Sequence, residues 1–130
     1  MQQTSTTGPP TIIAVIFEVW PDAAHPSAYF DLAAALRPEL DTVDGFISIE
    51  RFESLATPGK YLSLSFWRDE EAVRAWRNRP SHRVTQSQGR AGVLTDYRLR
   101  VASVMRDYGL TDREQAPADS RQHHGDLAAI

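Results

Sequence analysis

The spacing of hydrophobic positions switches repeatedly between a period of two and a period of three to four, and each switch marks an element. Thr11 to Trp20, TIIAVIFEVW, is almost continuously apolar and β-branched. That predicts a strand buried on both faces and central in its sheet. Glu18 is its one charge, and it is expected at the strand end or edge, with access to water. Pro21 and Asp22 end the strand. His25 to Val43 then turns helical, with Tyr29, Leu32, Ala33, Leu36 and Leu40 on one stripe. Pro26 suits the first turn, and Pro38 is expected to kink the helix or end its regular hydrogen bonding near Ala35.

Asp44-Gly45 is a turn signal, and Phe46 to Leu55 alternates as a second strand. Strict alternation puts Phe46, Ser48, Glu50 and Phe52 on one face and Ile47, Ile49 and Arg51 on the other. Thr57-Pro58-Gly59-Lys60 turns the chain into a third strand, Lys60 to Trp67, and strands joined this closely pair antiparallel. Leu62, Leu64 and Phe66 share one face of it; Tyr61, Ser63, Ser65 and Trp67 share the other. Asp69 offers a helix N-cap, with Glu70 and Glu71 in the first turn where the helix dipole favours negative charge. Ala72, Val73 and Trp76 follow at helical spacing to about Asn78. Pro80 breaks that helix and opens a second piece carrying His82, Gln86 and Arg90 on one stripe. Asp96 to Asp107 alternates again as a fourth strand, with Arg98 and Arg100 on a face that reaches solvent or a charged partner.

The order β-α-β-β-α-β predicts an α+β, ferredoxin-like domain: a four-stranded antiparallel sheet with helices on one face. Its other face needs cover, which a homodimer packed sheet against sheet supplies. The domain is expected over residues 11–109, after a disordered lead-in at 1–10 and before an extended or mobile tail at 110–130.

The chain has 130 residues, the size of one domain, with 42% hydrophobic and 24% charged residues. A net charge of −3 gives no reason to expect nucleic acid or an anionic membrane as partner. There is no cysteine, which removes disulfides, thiolate metal sites and cysteine nucleophiles. No apolar run approaches the ~20 residues that span a bilayer, and MQQTSTTGPP lacks the pattern of a signal peptide. The cytoplasm is the expected compartment.

The candidate chemistry clusters between Lys60 and Arg90. Trp67, with Tyr61, Ser63 and Ser65 on its strand face, suits a flat aromatic ligand that stacks and is oriented by hydroxyls. Trp76 adds a second indole. A neutral His82 can take a proton from a phenol or an activated carbon acid, and Arg90 or Gln86 can hold the oxyanion. Tyr29, Tyr97 and Asp96 are expected at the border of the same site, chiefly as packing residues. His123-His124 form no metal site on their own, since adjacent residues rarely converge on one ion without further ligands.

The runs GFISIERFES, KYLSLSFWRDEEAVRAWR and HRVTQSQGR resemble the antibiotic biosynthesis monooxygenase (ABM) domain family, over roughly Ile12 to Tyr108. The most specific part is the strand ending in Trp67, followed by Asp-Glu-Glu-Ala and by Trp76 nine residues on. The resemblance implies a dimeric α+β barrel with a pocket between sheet and helices. In the branch of cofactor-independent, quinone-forming monooxygenases it matches Trp67 but has Ser63 where that branch carries Asn. In the haem-degrading branch it matches Trp76 but has Thr85 or Gln86 at the axial histidine and Val15 near the first-strand Asn. The reading drawn from it is a cofactor-independent oxidation of a small aromatic or quinol-type molecule by O₂, with His82, Trp67 and Arg90 in the chemistry and Trp76, Ser63, Ser65, Tyr61 and Gln86 binding substrate. The alternatives are a haem-binding or haem-degrading protein and a dimeric binding module without catalysis.

Overall fold

The apolar first strand does take the centre of the sheet. A computed structural model describes residues 11–124 of the chain; the expected lead-in at 1–10 and the end of the expected tail lie outside them. Four strands, β1 (Ile13–Pro21), β2 (Phe46–Glu53), β3 (Tyr61–Trp67) and β4 (Leu94–Ser103), form one sheet in the order β2-β3-β1-β4, every neighbouring pair antiparallel. Helices α1 (Ser27–Leu40), α2 (Glu70–Arg77) and α3 (Pro80–Gln88) lie on one side of it. This is the ferredoxin-like α+β fold.

Because α1 to α3 leave the other side uncovered, β1 is not buried on both faces as its composition predicts. Ile13, Ala14, Val19 and Pro21 are buried, while Val15 to Glu18 are only half-buried. Glu18 is not at a strand end either. It sits inside β1 on the uncovered face, 3.6 Å from Lys60 and 3.5 Å from Arg100. Two cations, Lys60 just before β3 and Arg100 on β4, let a central strand carry a carboxylate. The rest of that face is mixed: half-buried Ile16, Leu62, Leu64 and Phe66 form an apolar strip, flanked by Ser48 and Glu50 on β2 and Arg98 on β4.

Helix α1 starts after Pro26 and runs through Pro38 to Leu40. The helix does not end near Ala35: Pro38 removes only its own hydrogen bond, and the Asp41 N–H still donates to the Arg37 carbonyl at 3.1 Å. The helix packs Leu36 and Leu40 against Trp67, Val73 and Trp76, with Val43 closing the cluster beneath it.

In β2 the expected alternation fails at one point. Phe46 pairs with Trp67 and Ser48 with Phe66, so Ile47 is an extra residue in a β-bulge. The bulge reverses the parity of the strand. Phe46 therefore shares the helix-side face with Ile49 and Arg51, its ring 5.2 Å from Trp67, and Ile47 is left half exposed.

The corner after β3 is tightly specified. Asp69 caps α2 by accepting from the Ala72 N–H at 2.9 Å. Arg68 donates to both oxygens of Asp44 at 3.2 Å, and its own N–H donates to the Gly45 carbonyl at 2.7 Å. These bonds hold the turn before β2 against the start of α2, and they bring Gly45 so close that a Cβ there would lie 2.7 Å from Ala72 Cβ.

Beyond β4 the expected extended tail is instead folded on itself. Arg113 donates to the Gly109 carbonyl and to Ser120, Asp107 N–H donates to Gln115, and a short helix, α4, spans Ala118–His124. Polar side chains close these turns locally, so a segment with weak hydrophobic periodicity still folds. Among the described residues, no helix is long and apolar enough to cross a membrane.

The Gly45 contact yields a stability prediction. Gly45 and Gly59 both have positive φ, +91° and +88°, but nothing lies near a Cβ at Gly59. Gly59→Ala is expected to cost only the left-handed backbone preference, about 1–2 kcal/mol. Gly45→Ala adds the overlap with Ala72 and should lower the urea midpoint clearly further. Equal losses in the two variants would show that the turn is not held against α2.

Candidate active site

The site begins with β3. Alternation points Ser63, Ser65 and Trp67 at the helices, and all three are buried. The Trp67 indole N–H donates to Ser65 Oγ at 2.9 Å, so that hydroxyl anchors the indole. Trp76 comes from the buried face of α2, beside Ala72 and Val73.

Pro80 then does what a helix-breaking residue can do: it starts α3 afresh and folds it back. The His82 ring comes to 4.9 Å from the Trp76 ring. The start of α3 is pinned to the end of α1 through Glu39, which accepts from Ser81 Oγ and from Arg79 Nη1. The Ser81 hydroxyl, and behind it Arg79, holds the Glu39 carboxyl below its usual range.

Between the sheet and α1 to α3 lies a cavity of about 550 Å³. Its walls are mainly apolar, from Val15 and Phe17 on β1, the α1 stripe, and Leu99 and Val101 on β4. Of the residues singled out from sequence, Trp67, Trp76, Ser63, Ser65, His82, Gln86 and Arg90 all line it. Tyr61 does not: it shares the face of Ser63, but Phe30 of α1 covers it with ring centroids 4.9 Å apart. Tyr29 and Tyr97 line the cavity, whereas Asp96 is exposed and accepts from the Tyr97 backbone N–H.

His82 is half-buried, and burial pushes its pKa below 6.5. The Arg83 guanidinium adds to this; the Arg77 carbonyl and Glu39 oppose it without reversing it. The imidazole is therefore neutral at pH 7. Its Nδ1 is buried without a hydrogen-bond partner. Arg90 lies beyond the last regular turn of α3, in a wider turn at Gly89–Val93, and donates to the Tyr97 hydroxyl at 3.2 Å. It thus reaches the cavity without continuing the His82–Gln86 stripe.

Arg51, Arg77 and Arg83, which no sequence motif marks as site residues, also line the cavity, as does Thr85. Arg51 shares a strand face with Ile49 and donates to the Tyr29 hydroxyl at 3.3 Å. Its alternation was readable; what it faced was not.

Residues 12–88 match the model of the family described as Antibiotic biosynthesis monooxygenase. Over 119 residues the chain is 40% identical to a protein of Pyricularia oryzae named Jasmonate monooxygenase ABM, a match covering 92% of this chain and 55% of that relative. The chain thus spans about half the length of this curated relative. Among solved structures, that of Rv0793 from Mycobacterium tuberculosis is similar with a TM-score of 0.67 and 20% identity, over 75% of this chain and 99% of that one. That of SnoaB, a cofactor-independent oxygenase from Streptomyces nogalater, is similar with a TM-score of 0.64 and 14% identity, over 74% and 95%. At these identities the two structures speak for the fold.

His82 couples stability to pH. Its folded pKa lies below the unfolded value of 6.5, so the unfolded chain binds the proton first. The stabilisation is complete above the unfolded pKa and is lost as pH falls through the folded one. Urea midpoints measured from pH 8 down to 5 should therefore fall more steeply for the wild type than for His82→Gln. Parallel curves would show that the imidazole is not buried as described.

Proposed function

The chain belongs to the antibiotic biosynthesis monooxygenase family, and from that premise we propose that it oxidises a small, mostly apolar substrate with O₂ and without a cofactor. The observation that carries this reading is a neutral, half-buried imidazole, His82, in the wall of an apolar cavity beside two indoles. The substrate is an aromatic or quinol-type compound, or another molecule with an acidic C–H beside a carbonyl or ring. The name of the Pyricularia oryzae relative adds jasmonate, a cyclopentanone with enolisable carbons, to that class.

His82 takes the proton from the activated carbon or phenol. The anion delocalises onto oxygen, where Arg90 and Gln86 donate hydrogen bonds. The electron-rich anion then reduces O₂ by one electron, and the two radicals combine to a peroxide at carbon. Protonation and loss of water leave a carbonyl, so a CH₂ group and one O₂ become C=O and H₂O, with no outside reductant. Trp67 and Trp76 hold the flat body of the substrate and exclude water.

The donor set does not favour haem. Thr85 and Gln86, where the haem-degrading branch would place its axial histidine, offer a hydroxyl already donating to the Ser81 carbonyl at 3.0 Å and an amide. His82 itself packs on Trp76.

The same reading keeps the homodimer, with the half-buried face of Ile16, Leu62, Leu64 and Phe66 as its interface. Sedimentation at micromolar concentration should give the mass of two chains, and Leu64→Glu should give one; a wild-type monomer would refute this arrangement. Oxygen uptake, followed with a panel of anthrones, quinols and jasmonate-like cyclopentanones, tests the activity. We expect uptake of one O₂ per substrate, falling by a factor on the order of 10²–10⁴ in His82→Gln. Full activity in that variant would remove His82 from the mechanism. Binding without uptake would leave a ligand-binding module.

A further inference from the structure

The charge of the cavity runs against the charge of the protein. The chain as a whole carries −3. The cavity nonetheless has four arginines in its lining, Arg51, Arg77, Arg83 and Arg90, and no aspartate or glutamate among the described residues. All four are exposed, so they stand where the cavity meets water. None forms an ion pair with a described residue; of the arginines elsewhere, Arg37, Arg68, Arg74, Arg79 and Arg100 do, and Arg98, Arg106 and Arg113 do not. They come from four different segments: β2, α2, α3 and the turn before β4. Three are steered by neutral partners, Arg51 by the Tyr29 hydroxyl, Arg90 by the Tyr97 hydroxyl and Arg83 by the amide oxygens of Asn78 and Gln86.

Four arginines in the lining of an apolar cavity, with no carboxylate beside them there, are electrostatically incomplete. A neutral aromatic ligand could stack on one guanidinium, but it would leave the accumulated positive potential unanswered. An anionic group on the ligand answers it. The planar guanidinium fork matches a carboxylate. Among the described residues of the lining there is no glycine-rich backbone cradle of the kind that accompanies phosphate groups.

We propose that the ligand of this cavity is an apolar molecule bearing a free carboxylate, which the arginines at the mouth recognise while its carbon skeleton lies against Trp67 and Trp76. This deepens the reading of the cavity as a substrate site and rests on it. It adds a selection rule: the acid is taken and its neutral ester is not. The carboxylate acts as a handle, held at the mouth by Arg51, Arg77 or Arg83, which leaves Arg90 and Gln86 free for the oxyanion.

Two acid–ester pairs test this by calorimetry in the absence of O₂: jasmonic acid with methyl jasmonate, and 1-naphthaleneacetic acid with its methyl ester. The acid of at least one pair is expected to bind tighter than its ester by about tenfold or more at low salt, as charge-assisted hydrogen bonds allow. The preference should shrink as salt is raised and the Debye length falls below about 10 Å. The variant combining Arg51→Gln, Arg77→Gln and Arg83→Gln should bring acid and ester to within about twofold, and single variants will show which arginine seats the carboxylate. Unchanged circular dichroism and ester affinity confirm that this variant is folded with its cavity intact. If it is not, Arg77→Gln alone, whose side chain has no hydrogen bond or ion pair with a described residue, carries the test together with the salt dependence. Equal binding of acid and ester, a preference that survives the arginine changes, or no binding of any probe overturns the proposal. Acid preference without oxygen uptake would leave it standing and remove the monooxygenase reading. Uptake with neutral aromatics and no acid preference would do the reverse.

Discussion

A buried indole N–H needs an acceptor, and Trp67 finds one in Ser65, two residues back on its own strand face. Much of the structure follows from that bond. It fixes the indole at the end of β3, where Phe46 meets it edge-on and Trp76 descends from α2. It also places a hydroxyl on a strand face that would otherwise be purely apolar. The face has to be filled with aromatic bulk at one end, and toward Ser63 it is left open with small polar side chains. The core and the cavity are thus two ends of one surface, divided by residue size.

The helices complete the division. α2 closes the end near Trp67, because its cap at Asp69 and the Arg68–Asp44 fork leave it little freedom. α3 begins again at Pro80 and is tied to the end of α1 through Ser81 and Arg79 on Glu39, with Arg79 also on Thr42. The wall carrying His82 is therefore held at its first turn and continues into the irregular turn at Gly89–Val93, where Gly92 has φ +129°. A neutral imidazole on such an element can meet a ligand without the long-range strain that a core position would impose.

Most of this architecture was legible in the sequence. The element order, the buried face of β3, the cap at Asp69 and the break at Pro80 each rest on a local rule, and local rules hold when tertiary packing agrees with them. The misreadings share a cause. The parity of β2 depends on a bulge at Ile47, an event of the backbone that leaves no mark in side-chain composition. Glu18 is expected at a strand end or edge with access to water; Lys60 and Arg100, distant in sequence, instead let it sit within the central strand. Tyr61 has the right face and the wrong neighbour. The arginines at the cavity mouth sit on separate elements, so their convergence belongs to the fold and to no single stretch of chain.

The bulge has one further effect. β2 is an outer strand, with unpaired N–H and C=O groups along its free edge. Such an edge templates the addition of strands from other molecules unless something spoils its regularity. The extra residue at Ile47 kinks the strand, and Glu50, Arg51 and Glu53 put charge along the rest of it. The distortion that turns Arg51 toward the cavity thus also works against strand addition, so straightening β2 to improve its pairing would trade solubility for order.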